Sequence, residues 1–124
     1  MAKILRLVDP NESRGQTIIY ADINANASAA ATPEEIIAAV ASKKIYVLEL
    51  VLTFTVQDTV RLMSKTGTPV YWGSYQVPAY GSISLMRNAN DKPHFVSATA
   101  AENFGIVTAA INSYSGHIIY YNAT

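Results

Sequence analysis

The chain is 124 residues long, enough for one domain, and its nine Lys plus Arg balance nine Asp plus Glu. That balance lacks the basic excess that displaces counterions from nucleic-acid phosphates or holds a polybasic segment to a membrane, so neither partner is expected. Without cysteine there are no disulfides, thiolate zinc sites or cysteine nucleophiles, while 50% hydrophobic residues with only 15% charged predict an ordered protein partly covered by neighbours in an assembly.

Met1 to Leu7 is basic and apolar but breaks at Asp9-Pro10, too early for a signal-peptide core. The longest apolar stretch, Ile45 to Val56, is interrupted by Glu49 and falls short of a membrane span. The chain is therefore expected to be made and retained in the cytoplasm and to leave it only within something larger. Thr17 to Ile23 reads as a strand, and Ala25 to Thr32 as a linker of small residues. Residues 1–30 are thus expected to form an N-terminal arm and linker, and residues 31–124 the folded domain.

Thr32-Pro33-Glu34-Glu35 resembles a helix start, with a capping threonine and proline in the first turn, so residues 33–41 suit either a helix or a strand. The surrounding pattern favours a strand over Glu35 to Val40 that turns at Ala41-Ser42-Lys43. From Lys44 to Gln57 every even position is apolar (Tyr46, Leu48, Leu50, Leu52, Phe54, Val56), which predicts a strand with its even row buried throughout. Thr59 to Lys65, Val70 to Val77, Ser82 to Arg87, His94 to Ser97 and Asn103 to Ile111 follow as further strands. Between them lie turn residues at Lys65 to Pro69, Pro78 to Gly81 and Asn88 to Pro93, and Gly73 suggests a bulge or a close backbone approach. Asn112 to Gly116 is expected to close a hairpin into His117 to Tyr121. Many short strands without alternating helices predict an all-β antiparallel sandwich of about eight strands.

Chemistry-bearing residues are scattered. His94 sits within reach of Asp91 in sequence, and His117 alternates with Ile119 and Tyr121; each is expected to be a satisfied loop or sheet histidine. No His or carboxylate spacing suits a metal, no glycine loop suits a phosphate, and Gly73-Ser74-Tyr75 and Gly81-Ser82-Ile83 lack the second glycine of a nucleophile elbow. No cofactor and no catalytic residue are expected. Glu49, isolated between Leu48 and Leu50, is expected to face solvent or to pair with Arg61 or Arg87 on a neighbouring strand. The remaining candidates are aromatic: Tyr71, Trp72, Tyr75 and Tyr80 crowd into ten residues and suit a core rim, a subunit interface or a sugar platform.

Several pieces in order carry a likeness to known proteins. They are Ala38 to Leu48, Thr59-Val60-Arg61-Leu62, Lys65-Thr66-Gly67, His94-Phe95 to Glu102, Asn103-Phe104-Gly105-Ile106, and Ser115-Gly116-His117-Ile118-Ile119-Tyr120. Over about two-thirds of its length the chain resembles the small β-sandwich structural proteins of tailed bacteriophages, which serve as head decoration or cement proteins and as fibre modules. Ala101 departs from that pattern, which often has glycine before the glutamate, and the first 30 residues carry none of it.

The resemblance implies a jelly-roll-like sandwich, usually a homotrimer, attached to a virion and without catalytic residues. The expected function is decoration or cementing of a phage capsid, with the major capsid protein or neighbouring virion proteins as partner. The arm would add a strand to that partner, with Ile18, Ile19 and Tyr20 as anchors and Tyr71, Trp72 and Tyr75 as further interface candidates. The alternative is a carbohydrate- or receptor-binding module of a tail or fibre, using Tyr71, Trp72 and Tyr75.

Overall fold

The computed structural model describes residues 3–9, 17–65 and 69–124, with the backbone alone at 3–9 and 25–27. Among the described residues ten strands form in chain order: β1 (Lys3–Asp9), β2 (Ile18–Ala27), β3 (Glu34–Ile37), β4 (Lys44–Phe54), β5 (Asp58–Ser64), β6 (Val70–Val77), β7 (Ser82–Leu85), β8 (Phe95–Val96), β9 (Phe104–Thr108) and β10 (Ser113–Ala123). No helix occurs among the described residues. Residues 34–37 are therefore strand, as the all-β context indicated, although local capping chemistry also suited a helix.

The strands make two antiparallel sheets packed face to face, one ordered β1-β2-β10-β4-β7 with β8 also on β4, the other β3-β9-β5-β6. Strand β2 pairs with β10, β3 with β9, β4 with β7 and β5 with β6, as in one long hairpin whose tip is the β5–β6 turn. Rolling that hairpin up adds the β10–β4 and β9–β5 pairings. This is the jelly-roll arrangement, two four-stranded halves built from strands distant in sequence. Strand β1 extends one edge, and β8 is a short addition at the other.

Two expectations are corrected by this topology. Residues 18–27 are no arm: β2 lies between β1 and β10, with Ile19, Ala21 and Ile23 in the core. An apolar row at alternate positions is satisfied better inside the chain's own sheet than in a detached tether. The linker is likewise part of the body, since Ser28 is buried and the Ala31 N–H donates to the Thr108 carbonyl. Residues 1–2 and 10–16 of the expected arm lie outside the described residues, as do 66–68 of the β5–β6 turn. Nor do Asn112 to Gly116 close a hairpin, because β9 and β10 belong to opposite sheets and Gly116 sits mid-strand. The expected strand over 103–111 stops at Thr108, leaving Ile111 in an exposed connection.

The long β4 strand is extended as expected, with Leu48, Leu50 and Leu52 all sealed from solvent. Its even row does not face inward throughout, however. Glu49 pairs with Ile119 and Val47 with Tyr120, so Leu48 is an extra residue that forms a β-bulge. Because side chains alternate with period two, one inserted residue exchanges the faces. Ile45 and Val47 enter the core before the bulge, and Leu50, Leu52 and Phe54 after it, while Leu48 packs with Ile18 and Tyr121 in a separate cluster. Val56 lies beyond the strand and is exposed.

Polar groups tie the sheets together. The Tyr114 phenol donates across the core to Glu34, and burial, the hydrogen bond and the Glu34 charge together push that phenol well above its usual range. At the far end Glu102, only 2% exposed, accepts from Ser64 at 2.9 Å and from Thr99, and pairs with Lys65 Nζ at 3.1 Å. Burial alone would raise its pKa, but the bonds from Thr99, Lys65 and Ser64 prevail and hold it at about 2 against an ordinary 4.5.

A lowered folded-state pKa gives stability that is complete above the unfolded value and is lost as pH falls through the folded one. Thermal unfolding should therefore show a loss of about 3 kcal/mol on acidification from pH 4.5 to 2 that is missing in Glu102→Gln. A Glu102→Gln protein with an undiminished acid slope would refute that assignment.

Candidate functional site

The outer face of the six-stranded sheet is built from β2, β4 and β10. Its pleat places Ile18, Tyr46, Leu48, Ile119, Tyr121 and Ala123 together, buried or partly buried as a cluster separate from the core. The Tyr46 and Tyr121 rings stack at 4.7 Å between centroids and 5° between planes. An antiparallel sheet facing water normally alternates apolar-in with polar-out, so an apolar and aromatic end to the outer face is a departure from that pattern. The β4 bulge creates it, by turning Leu48 outward beside Tyr46.

Next to this cluster the face becomes polar. Tyr20 stacks on the His117 imidazole at 5.2 Å, and His117 Nε2 donates to Glu49 Oε2 at 2.5 Å. The Arg87 backbone N–H donates to Glu49 Oε1 at 3.0 Å, while the Arg87 guanidinium grips Asp91 at 2.6 and 2.9 Å. Burial raises the Glu49 pKa, but the Arg87 N–H, the His117 hydrogen bond and charge, and the Arg87 charge outweigh it and leave the carboxyl below its ordinary value. Both carboxylate oxygens are thus engaged within the sheet, which fixes the imidazole against Tyr20.

The expected pairing of Glu49 with Arg87 is made through the backbone, and Arg61 lies in the other sheet. His94 does not meet Asp91; its Nε2 contacts the Met86 carbonyl at 2.7 Å. Among the described residues no group of three or more His, Asp or Glu is placed to hold a metal.

The β6 aromatics are divided. Arg61 pairs with Ser74 and Leu62 with Trp72, so Gly73, at φ 69°, is the extra residue of a bulge, as its place in the strand suggested. The bulge turns Trp72 and Tyr75 to the side of the core, Trp72 stacked on Phe95 at 6.2 Å and Tyr75 packed against buried residues. Burial raises the Tyr75 phenol pKa. Tyr71 points the other way, under the Arg61 guanidinium at 5.1 Å, where it lines an open groove of about 240 Å³ with Thr59, Val107 and Ala109.

Of the six interface candidates, Ile18 and Tyr20 lie on the outer face and Ile19 in the core, while Tyr71 is separated from Trp72 and Tyr75. Sequence reasoning missed Tyr46, Leu48, Ile119 and Tyr121. A signal was present: Ile45, Val47 and Glu49 share one parity, and a run that changes from Ile and Val to Glu on one face marks a change of face. No family model, no curated protein and no solved structure matches this chain.

Proposed function

We propose that the chain is a non-enzymatic structural protein of a virion, a homotrimer that decorates or cements a phage capsid by binding its major capsid protein or neighbouring subunits. The observation that carries this reading is the apolar outer-face cluster around Tyr46, Ile119 and Tyr121. Ile18, Leu48 and Tyr121 are already buried within the chain, and the half-buried surface left at Tyr46, Ile119 and Ala123, in a chain with 15% charged residues, is what a neighbour would cover. The jelly roll recurs in viral capsid proteins, which supports the reading by analogy of fold alone. The order of pieces resembling phage sandwich proteins supports it independently.

In this mechanism the strand-addition role passes from the expected arm to β1. This strand is paired only with β2 among the described strands, which leaves its other edge to receive a strand from capsid protein. Three copies on one trimer would then multiply weak contacts through effective concentration.

The test is binding of the purified protein to capsids that lack it. Ile119→Lys places a charge in the partly exposed part of the cluster without touching the core, and should weaken binding about 100-fold while the melting temperature stays within a few degrees. Undiminished binding by Ile119→Lys would overturn the proposal. A second reading, a carbohydrate- or receptor-binding module, is favoured only by the groove where Tyr71 meets Arg61. Glycan-array binding abolished by Tyr71→Ala would support it.

A further inference from the structure

The outer face of the six-stranded sheet changes character where β4 ends. Asn24 of β2, Ser115 of β10, Thr53 of β4 and Ser82 of β7 pair in register across neighbouring strands. Their side chains are all exposed and make a polar row of about 14 Å. Alongside lies an open groove of about 240 Å³, walled by Asn24, Thr53 and Ser115 together with Thr55, Ser113 and Tyr80.

The Tyr80 ring is 84% exposed. It stands at the third position of a turn closed by the Gly81 N–H donating to the Pro78 carbonyl at 2.9 Å, with φ 59°. A turn with that dihedral ordinarily takes glycine or asparagine there, and a bulky residue is strained in it. The ring joins neither apolar cluster of the chain, so the strain points to a contact outside it.

The chemistry of the lining selects the occupant. Hydroxyl and amide groups both donate and accept, which suits a ligand whose own groups do both. Ser113 Oγ, Ser115 Oγ and the Asn24 amide make no hydrogen bond among the described residues. Thr53 and Thr55 donate within the chain, to the Ser115 carbonyl at 3.3 Å and to Asn112 Oδ1 at 3.2 Å, and each keeps a lone pair for a donor. The described residues that line the groove include no charged one, so an anion or a cation would lose hydration there without a counter-charge. An extended peptide binds through main-chain hydrogen bonds at a sheet edge, whereas here the backbone is committed to its ladders and only side chains are presented. What fits is an uncharged polyhydroxy ligand with an apolar face to lay on the ring.

We propose that this groove binds a neutral oligosaccharide, one sugar ring stacked on Tyr80 and the following ones hydrogen-bonded along Thr53, Ser115 and Asn24. The site is distinct from the Tyr71 groove, which lies on the other sheet, and it does not depend on the capsid reading.

A glycan array carrying neutral hexose and N-acetylhexosamine oligomers beside sialylated and uronic-acid ones tests it, followed by titration of the best neutral oligomer with amide NMR spectra. The wild type should bind neutral glycans, and the largest shifts should fall on the amides of Tyr80, Ser113 and Ser115. Y80G relieves the strained dihedral and so folds at least as well, yet should bind about tenfold more weakly or worse. Tyr80→Phe keeps the ring and should stay within about twofold of the wild type, while Ser115→Ala loses one hydroxyl and should cost about fivefold in affinity. Tyr71→Ala should leave this binding unchanged. Binding to no glycan or to acidic glycans alone, full affinity in Y80G, or loss of the neutral binding in Tyr71→Ala would each overturn the proposal.

Discussion

Gly116→Ala is expected to destabilise the fold by about 4 kcal/mol or more, a large share of the stability of a domain of this size. Gly116 lies in β10, paired with Ile23 of β2 on one side and with Leu52 of β4 on the other. A Cβ built there would sit 1.8 Å from the Val51 carbonyl oxygen and 2.8 Å from its carbon. Those are backbone atoms of the longest strand pairing in the molecule, so no side-chain rotation relieves the overlap; β4 and β10 have to move apart. Gly73→Ala is the informative comparison, because its Cβ would meet only the end of the Tyr75 ring at 2.9 Å, although at φ 69°. That variant should lose about 1–2 kcal/mol. Urea unfolding of both variants checks the ranking, and a Gly116→Ala protein as stable as Gly73→Ala would contradict this account of the β4–β10 approach.

The elements of this fold were largely legible and their partners were not. β-branched and aromatic alternation marked nearly every strand, because a half-buried pleated surface selects those residues locally. Sheet membership is decided elsewhere. A jelly roll sends successive strands to opposite sheets, so the turn at 78–81 carries the chain across the sandwich, as does the connection between β9 and β10, where Asn112 to Gly116 looked like a hairpin turn. The same blindness produced the arm: nothing in Ile18 to Ala27 announces that β10, some ninety residues later, lies beside it. Gly116 was read as a turn residue for the same reason, since a glycine required by close strand approach cannot be told from one required by a turn without the partner strand.

The candidate site was legible only where a single strand encodes it. Gly73 carried its own evidence, a lone glycine within an aromatic run, and it is the residue that parts Tyr75 from Tyr71 and brings it to the side of Trp72. The β4 bulge was hidden because an extra Leu in a run of Leu and Val leaves the apolar pattern unbroken, and only Glu49 betrays the exchange of faces. Ala101 is a further instance. It adopts φ 63°, the left-handed conformation that ordinarily favours glycine, and an alanine in that place gives no sign of it.

Replacing Asn112 by alanine is expected to cost about 3–5 kcal/mol, because its buried side chain satisfies several polar groups at once. Its Oδ1 accepts from the N–H groups of Thr55 at 3.1 Å and Val56 at 3.2 Å, and its Nδ2 donates to the Val56 carbonyl and Asp58 Oδ2, both at 3.0 Å. Asp58 in turn accepts from Thr59, Ala109 and Ala110 N–H through Oδ1, and the Asn112 N–H reaches Ser28 Oγ, which bonds Thr108. These two side chains therefore satisfy the backbone of the β4–β5 and β9–β10 connections and, through Ser28, join them to the end of β2. Both connections, and the one that leaves β2 for β3, cross between the sheets, where backbone groups leave one ladder before joining another.

Donor and acceptor directions are fixed throughout this cluster. A carboxylate can only accept, so Asn112 has to present Nδ2 to it and Oδ1 to the backbone N–H groups. Asp58→Asn should thus be nearly as damaging as Asn112→Ala despite its similar size: an amide at residue 58 that still accepts from the backbone turns its NH₂ toward the NH₂ of Asn112. Thr32→Ala, which removes one exposed hydrogen bond to the Ala30 carbonyl, should cost less than about 1 kcal/mol. Chemical denaturation of the three variants gives the comparison, and an Asp58→Asn protein close to wild type would show that these crossings are held by packing instead.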